Sequence, residues 1–363
     1  MFTSIGLFIL KILLLLFMLG IIILVHEFGH FIWAKTFGVY IYEFSIGMGP
    51  VLHTHKGKKD GINYNIRAIP IGGFVSMAGE VYDNDDVDLN NKKIKKDKLM
   101  CNKKWWQRLI ILVAGVVNNF ILAILVLFVY TLIWGGGAIT PKVENVVSGK
   151  PAESAGIKTG DVITSINGYK VSSWDKAQII LYYKNKNEFY TFDVKHPDGT
   201  KEKIKIVPEI IKDEKTGSES KLFGIQIATF DTSNVFKAFV YSIKKFNSIM
   251  SSMFYTITGL ITGKIGLSAL SGPVGIYEVV GETVNYGIKY FLYILAFLSI
   301  NVGFINILPF PAFDGGHVFF LLVEKIKGSP VNSKFESTCH LIGFILIFLL
   351  MLVVTINDII KLF

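Results

Sequence analysis

Cysteine is almost missing from this chain: Cys101 and Cys339 are the only two among 363 residues. That excludes a disulfide framework and a cysteine-rich metal site. Charge is missing as well, over runs long enough to matter. Several uncharged stretches reach bilayer-spanning length, 51% of the residues are hydrophobic, and mean hydropathy is +0.49. An ordinary soluble domain is therefore excluded. No Ala-x-Ala-like cleavage site follows the apolar run 2–25, so that run reads as a retained span and not as a signal peptide. Acidic residues are in deficit, 28 against 37 Lys and Arg, giving a formal net charge of +9. In so apolar a chain the excess reads as topology and affinity for anionic lipid, and no nucleic-acid partner is expected.

What is present, first, is a set of four candidate spans at roughly 5–34, 109–134, 290–323 and 340–356, the third interrupted by Pro309 and Pro311. The loop 53–108 carries twelve Lys and Arg against seven Asp and Glu, and Lys325, Lys327 and Lys334 lie between the third and fourth spans. Basic loops are retained in the cytoplasm, so the N-terminus, the long middle loop and the C-terminus are expected outside. The lysine-rich run 92–104 suits anionic headgroups.

Residues 1–134 thus read as the first half of a membrane core and 289–363 as the second. Between them, 135–230 reads as an extracytoplasmic soluble domain with alternating strands such as YTFDVKH and EKIKIVPEI. Residues 231–288 read as an amphipathic surface helix and loop, because Val235, Phe239, Ile243, Phe246, Met250, Phe254 and Ile257 recur at helical steps. The uncharged stretch 246–263 is a rival fifth span.

The chemistry starts at ILVHEFGHFIW, residues 23–33. Polar groups in an apolar helix are costly and mark function by default. His26 and His30, four apart, share a helix face and can address one ion. Glu27 is turned about 100° away, near an ion without binding it. A catalytic zinc takes three protein ligands and a water, whose pKa it lowers to about 7, within reach of a nearby carboxylate base. The bland alternative is two histidines satisfied by neighbouring helices.

Asp314 is the clear ionisable group in another apolar stretch, after Pro309 and Pro311 and before Gly315-Gly316. Broken backbone at membrane depth is tolerated where it is buried or lines a wet cavity. Asp314 reads as third ligand or as an ordinary N-cap. His317 is a spare candidate; His53, His55, His196 and His340 read as solvated. Four spans bring His26, His30 and Asp314 to one depth, near the cytoplasmic face, whereas a fifth would carry Asp314 outward. Asn306 is a polar group beside the break, either a contact for substrate backbone and oxyanion or a helix-to-helix hydrogen bond.

Together these residues resemble the site-2 proteases, and within them the bacterial regulator-of-sigma-E type. HEFGH resembles the family's zinc motif, and the run Asn306-Ile-Leu-Pro309-Phe-Pro311-Ala-Phe-Asp314-Gly315-Gly316 resembles its N-x-x-P-x-P-x-x-D-G motif, which supplies the third ligand. The stretch from Arg67 to Phe74, including Gly72 and Gly73, resembles the family's membrane-associated β-hairpin, and LSGPVGI at 270–276 its short loop before the third span. AGVVNNF at 114–120 resembles A-G-P-x-x-N-F with Val116 in place of proline, a departure expected to touch packing more than chemistry. The middle loop resembles a single PDZ domain between 139 and 230; the alternative is a small β-rich spacer.

The fold implied is a polytopic α-helical membrane protein of about four transmembrane helices, with a membrane-associated β-hairpin and an inserted α+β PDZ domain. The activity implied is that of an intramembrane metalloprotease of the bacterial cytoplasmic membrane, cutting in or near transmembrane segments in regulated intramembrane proteolysis, as of anti-sigma factors or signal-peptide remnants. Zn2+ would be held by His26, His30 and Asp314, with Glu27 catalytic and Gly72, Gly73 and Asn306 meeting substrate. The partners implied are the lipid bilayer and single-pass membrane proteins already trimmed by another protease, with the PDZ domain as filter. Two rivals remain open: an inactive scaffold that binds peptides through its PDZ domain, and a zinc transporter.

Overall fold

The computed structural model describes residues 4–58, 60–80, 93–183, 188–212, 219–267 and 270–362. They form two compact units, 1–126 with 270–363, and 127–269.

The first unit opens with α1 (Ser4–Thr36), followed by strands β1 (Ile41–Lys56) and β2 (Asn63–Met77). Both strands bend. Residues 41–46 pair with 73–77 on one side and 63–66 on the other, while 51–56 closes onto 63–67. The hairpin expected around 67–74 is therefore part of a four-segment sheet. Its corner falls at Gly47 and Gly49, whose φ of 86° and 80° lie where only glycine is unstrained. Phe31 and Ala34 of α1 bury against Phe44 and Val75 of the sheet, which fixes the sheet to the C-terminal third of the helix.

Helix α2 (Trp105–Trp134) packs closely on α1. A Cβ on Gly29 would stand 2.4 Å from Ala114 O, the small-residue contact by which membrane helices approach.

The second unit contains β3 (Ala138–Val146), a short α3 (Pro151–Ser154), β4 (Val162–Ile166), β5 (Tyr169–Lys170), α4 (Trp174–Tyr183), β6 (Tyr190–Lys195) and β7 (Lys201–Ile206). A hairpin of β8 (Glu209–Lys212) and β9 (Glu219–Leu222) follows, then β10 (Ile225–Thr229) and α5 (Val235–Ile261). The main sheet runs β10-β3-β4-β6-β7, with β5 on β4. Ile157, Ile163, Ile166, Tyr190 and Phe192 fill its core, and Val162 is half-buried.

Helix α5 absorbs the rival span 246–263 and is not among the helices long and apolar enough to cross a membrane. Asn234 caps it, its Oδ1 accepting from Lys237 N at 2.9 Å. Its Tyr241, Ser242, Lys245, Ser248 and Ser252 are buried, and Lys245 Nζ meets Asp175 Oδ1 of α4 at 2.6 Å. Val235, Phe239, Ile243 and Phe254 are exposed. The inward face mixes these polar groups with Ala238, Ile249 and Met253, which an amphipathic reading by itself does not reveal.

The chain returns to the first unit through α6 (Pro273–Gly281), α7 (Thr283–Ile307), α8 (Asp314–Lys327) and α9 (Ser333–Leu362). Among the described residues four helices have spanning length and hydropathy: Ile5–Thr36, Trp105–Trp134, Thr283–Ile307 and Ser333–Ile360. The chain is thus polytopic, with a β-rich region. Two limits differ from expectation. The third span ends at Ile307, because Pro309 and Pro311 lack the N–H a helix needs, and α8 is separate. The fourth helix starts at Ser333, not 340, where Asn332 Oδ1 accepts from Lys334 N at 2.9 Å; that cap lies in a polar first turn, outside the apolar window.

Candidate metal centre

His26 and His30 lie one turn apart near the C-terminal end of α1, and Asp314 is the first residue of α8. Their ligating atoms meet. His26 Nε2 and His30 Nε2 are 3.2 Å apart, and Asp314 Oδ2 stands 3.0 Å from the first and 3.3 Å from the second.

The far side of each ring says which atoms carry protons. His30 Nδ1 donates to Ile111 O at 2.7 Å, so in the neutral ring Nε2 offers a bare lone pair. His26 Nδ1 faces the Asn119 amide at 3.3 Å, while Asn119 Oδ1 is buried without a partner. Turning that amide over, an assignment set by hydrogen bonding alone, gives Nδ1–H an acceptor and leaves His26 Nε2 bare too. Asp314 Oδ2 is likewise buried and unpartnered. Three acceptors with no proton between them are unfavourable unless a cation stands among them. Zinc bonds of about 2.0–2.1 Å give tetrahedral edges of roughly 3.3 Å, close to the separations found. These residues fit zinc.

Glu27, half-buried, turns from this trio toward the sheet, where its Oε2 accepts from Val75 N at 3.1 Å. Gly73 sits alongside: a Cβ there would reach 2.7 Å from Ser45 O and 3.9 Å from Glu27 Cγ. Gly72, at φ 83°, lies against Met48. Gly72 is demanded by its positive φ and Gly73 by the closeness of β1, and Gly73 borders the glutamate. The outer side of segment 73–77 carries the Val75 N–H and pairs with no described strand.

The side chain of Asn306, one turn before the Pro309–Pro311 break, makes no hydrogen bond to any described residue, and the residue is half-buried. The helix-to-helix bond considered for it is not formed. His317 is not with the trio; its Nδ1 faces Glu336 Oε1 at 3.3 Å and its ring stacks on His340.

Two expectations need correction. His340 is no solvated histidine: it is half-buried and its Nδ1 accepts from Ala312 N at 3.1 Å. His196 is bound on both ring nitrogens, to Asp161 and Glu202. Val116 is buried, but other positions of 114–120 reach the ligands, Asn119 on His26 and Gly115, where a Cβ would come 2.4 Å from His30 Nε2 and 2.7 Å from His26 Nε2. Ser299 of α7 donates to Asn119 O at 2.8 Å, seating that asparagine. The signal for Asn119 was there to read, a buried amide in an apolar helix.

Two imidazoles and one carboxylate around room for one ion, with a glutamate after the first histidine, define a hydrolytic metal centre of the H-E-x-x-H kind. The sequence pattern of Peptidase family M50 matches residues 14–350. A putative zinc metalloprotease of Clostridium acetobutylicum is 35% identical over 318 residues, 88% of each chain. The regulator of sigma-W protease RasP of Bacillus subtilis is 31% identical, covering 88% of this chain and 91% of its own. A putative zinc metalloprotease of Fusobacterium nucleatum is 34% identical, covering 88% and 90%. The chain belongs to peptidase family M50, the site-2 proteases, and is a multi-pass, zinc-dependent metalloprotease.

Proposed function

We propose that this protease hydrolyses a peptide bond in or beside a transmembrane segment of single-pass membrane proteins, with zinc held by His26, His30 and Asp314 and with Glu27 as general base. The observation that carries this reading is the convergence of two imidazole nitrogens and one carboxylate oxygen within 3.0–3.3 Å, beside a carboxylate that is not one of them.

When bound, zinc supplies Lewis acidity toward the scissile carbonyl and brings the pKa of water to about 7. Glu27 takes the proton of the attacking water and returns it to the leaving amine. Its bond from Val75 N–H keeps the carboxylate turned away from the ligand set. A helical substrate hides its carbonyls in i to i+4 bonds and must unwind locally. The unwound strand adds to the outer edge of 73–77, with main-chain bonds setting register and Gly72 and Gly73 keeping that edge clear of side chains. The unpartnered amide of Asn306 serves substrate backbone or the developing oxyanion.

Topology follows the positive-inside rule. The start of α2 and the end of α8 are joined by Arg108 and Glu324 at 2.8 Å and by Lys325 over the Trp105 ring at 3.3 Å. The ligands thus share one end of the unit with the basic loops, which supports an active site toward the cytoplasm and residues 135–230 outside a bacterial cytoplasmic membrane. In that domain the sheet and α4 support a PDZ reading, with a role as filter for substrates trimmed by an earlier protease. The exposed apolar face of α5 supports a place at the membrane surface. The relative named a regulator of sigma-W protease supports anti-sigma factors as a substrate class.

The test is cleavage of a single-pass reporter, with and without its ectodomain, by purified wild type and Glu27→Gln in detergent. Release of a fragment cut in or beside the span, by wild type only and preferentially from the trimmed reporter, supports the reading. Equal cleavage by Glu27→Gln would overturn the role of Glu27.

A further inference from the structure

Residues 308–313 join α7 to α8, and within them Ala312 sits at φ 89°, in the left-handed region where a side chain brings strain. Neighbouring backbone closes tightly around this turn. A Cβ on Gly315 would stand 2.2 Å from Leu308 O, one on Gly316 2.6 Å from Phe310 O, and one on Gly343 of α9 2.3 Å from Pro311 O. Within the turn Phe310 N–H gives to Leu308 O at 2.7 Å and Phe313 N–H to Phe310 O at 3.2 Å. The side-chain hold on it from α9 is the bond that Ala312 N–H gives to His340 Nδ1, at 3.1 Å. Ala312 precedes Asp314 by two residues, so the amide held by α9 belongs to the turn that aims the Asp314 carboxylate at His26 and His30.

To accept at Nδ1, His340 must be neutral and carry its proton on Nε2. Its neighbours suit that state. His317 stacks on the ring at 4.0 Å between centroids and 20° between planes. Glu336 Oε1, which accepts from His317 Nδ1, lies 3.9 Å from the otherwise unpartnered His340 Nε2. His317, Glu336 and His340 are near enough together to hold a metal ion of their own. A metal on His340 Nε2, however, would put the proton on Nδ1, facing the Ala312 N–H head on. The Ala312 bond and a second metal exclude each other.

We propose that His340 is a positioning residue: it holds the strained Ala312 turn through Nδ1 and so presents Asp314 to zinc. This rests on Asp314 being a zinc ligand. The chemistry required of position 340 is one acceptor at the place of Nδ1, which asparagine Oδ1 supplies and glutamine, with its amide one bond further out, does not.

The experiment is a zinc titration of the full-length, detergent-purified apo-protein against a chromophoric chelator. Wild type is compared with His340→Asn, His340→Gln, His340→Leu and Asp314→Ala, with melting temperature as a check on folding. His340→Gln and His340→Leu are expected to weaken zinc about 10- to 100-fold, the range for residues that orient ligands, and His340→Asn to stay within about threefold of wild type. Wild-type affinity in all three His340 variants, with affinity lost in Asp314→Ala, would overturn the positioning role and leave the ligand standing. Unchanged affinity in Asp314→Ala would bring down the ligand reading itself. A second equivalent of zinc in wild type, absent from His340→Asn, would show a metal cluster and overturn the proposal. Equal weakening in all three His340 variants, with lowered melting temperatures, would reduce His340 to packing and overturn it too.

Discussion

In the second unit a histidine stands between two carboxylates: His196 reaches Asp161 at 2.6 Å through Nδ1 and Glu202 at 3.1 Å through Nε2. In the first unit a carboxylate stands between two histidines, Asp314 at 3.0 and 3.3 Å from His26 and His30. Both trios would pass a search for metal ligands by residue type. They differ in where the protons are. Around His196 each N–H has a carboxylate to meet, and Lys158 N closes the remaining Asp161 oxygen at 2.8 Å, so the cluster is complete as protein. Around Asp314 the histidine protons are spent outward on Ile111 O and Asn119, and what faces inward is acceptors only. A closed set of donors and acceptors holds structure together; an unclosed one waits for a ligand.

The contrast breaks most easily at Glu27. Glu27→Gln is expected to lower turnover by about 10²–10⁴-fold, the usual worth of general acid–base catalysis, while zinc content stays at the wild-type level. Loss of zinc in that variant would place Glu27 in the ligand set and spoil the division between base and ligands. Next comes a pair closed in the second unit, Lys245 with Asp175, both largely buried. Removing one partner strands a charge, so Lys245→Ala should cost about 3–5 kcal/mol in the unfolding of that unit, with zinc affinity untouched. Thermal unfolding followed by limited proteolysis measures it, and a cost below 1 kcal/mol would mean the pair is solvated.

Gly115→Ala acts on the open cluster without altering a ligand. Its methyl group would push on both Nε2 atoms, and overpacking of this kind costs about 1–3 kcal/mol; weaker zinc in equilibrium dialysis is the expected result. Unchanged zinc affinity would mean that α1 and α2 can part without moving the rings.

The smallest effect concerns pH. Asp161 first, and Glu202 with it, raise the pKa of His196 above its ordinary value. A raised folded-state pKa stabilises below the unfolded value of about 6.5 and ceases to do so as pH rises through the folded value. Hydrogen exchange of 158–161 and 196–202 in the full chain, corrected for intrinsic rate, should therefore quicken from acid to alkaline pH, and His196→Asn should flatten that change. Protection independent of pH in the wild type would deny the cluster its closed character.

Much of this was legible before any coordinates. The helical period placed His26 and His30 on one face, and the expense of charge in an apolar run singled out Asp314. Asn119 obeys the same rule, but an uncharged amide in an apolar helix marks a hydrogen bond without naming its partner. His340 was misread for a different reason: the window that found the fourth span begins where hydropathy rises, seven residues after Asn332 and Ser333 have started the helix. The bend of β1 is written in Gly47 and Gly49, but glycines mark a turn without saying which segments pair across it. Least legible was α5, whose apolar stripe gave the helix and whose buried face sets serine, tyrosine and lysine among alanine, isoleucine and methionine. Hydropathy predicts a helix; its partner decides which face is hidden.

The central claim is that three acceptors meet because zinc belongs among them. Metal content of the detergent-purified protein tests it most directly, wild type beside His26→Ala and Asp314→Ala. About one zinc per wild-type chain, the single ion such a trio accommodates, with a sharp loss in both variants, is the result the account requires. Stoichiometric zinc retained in Asp314→Ala would contradict it.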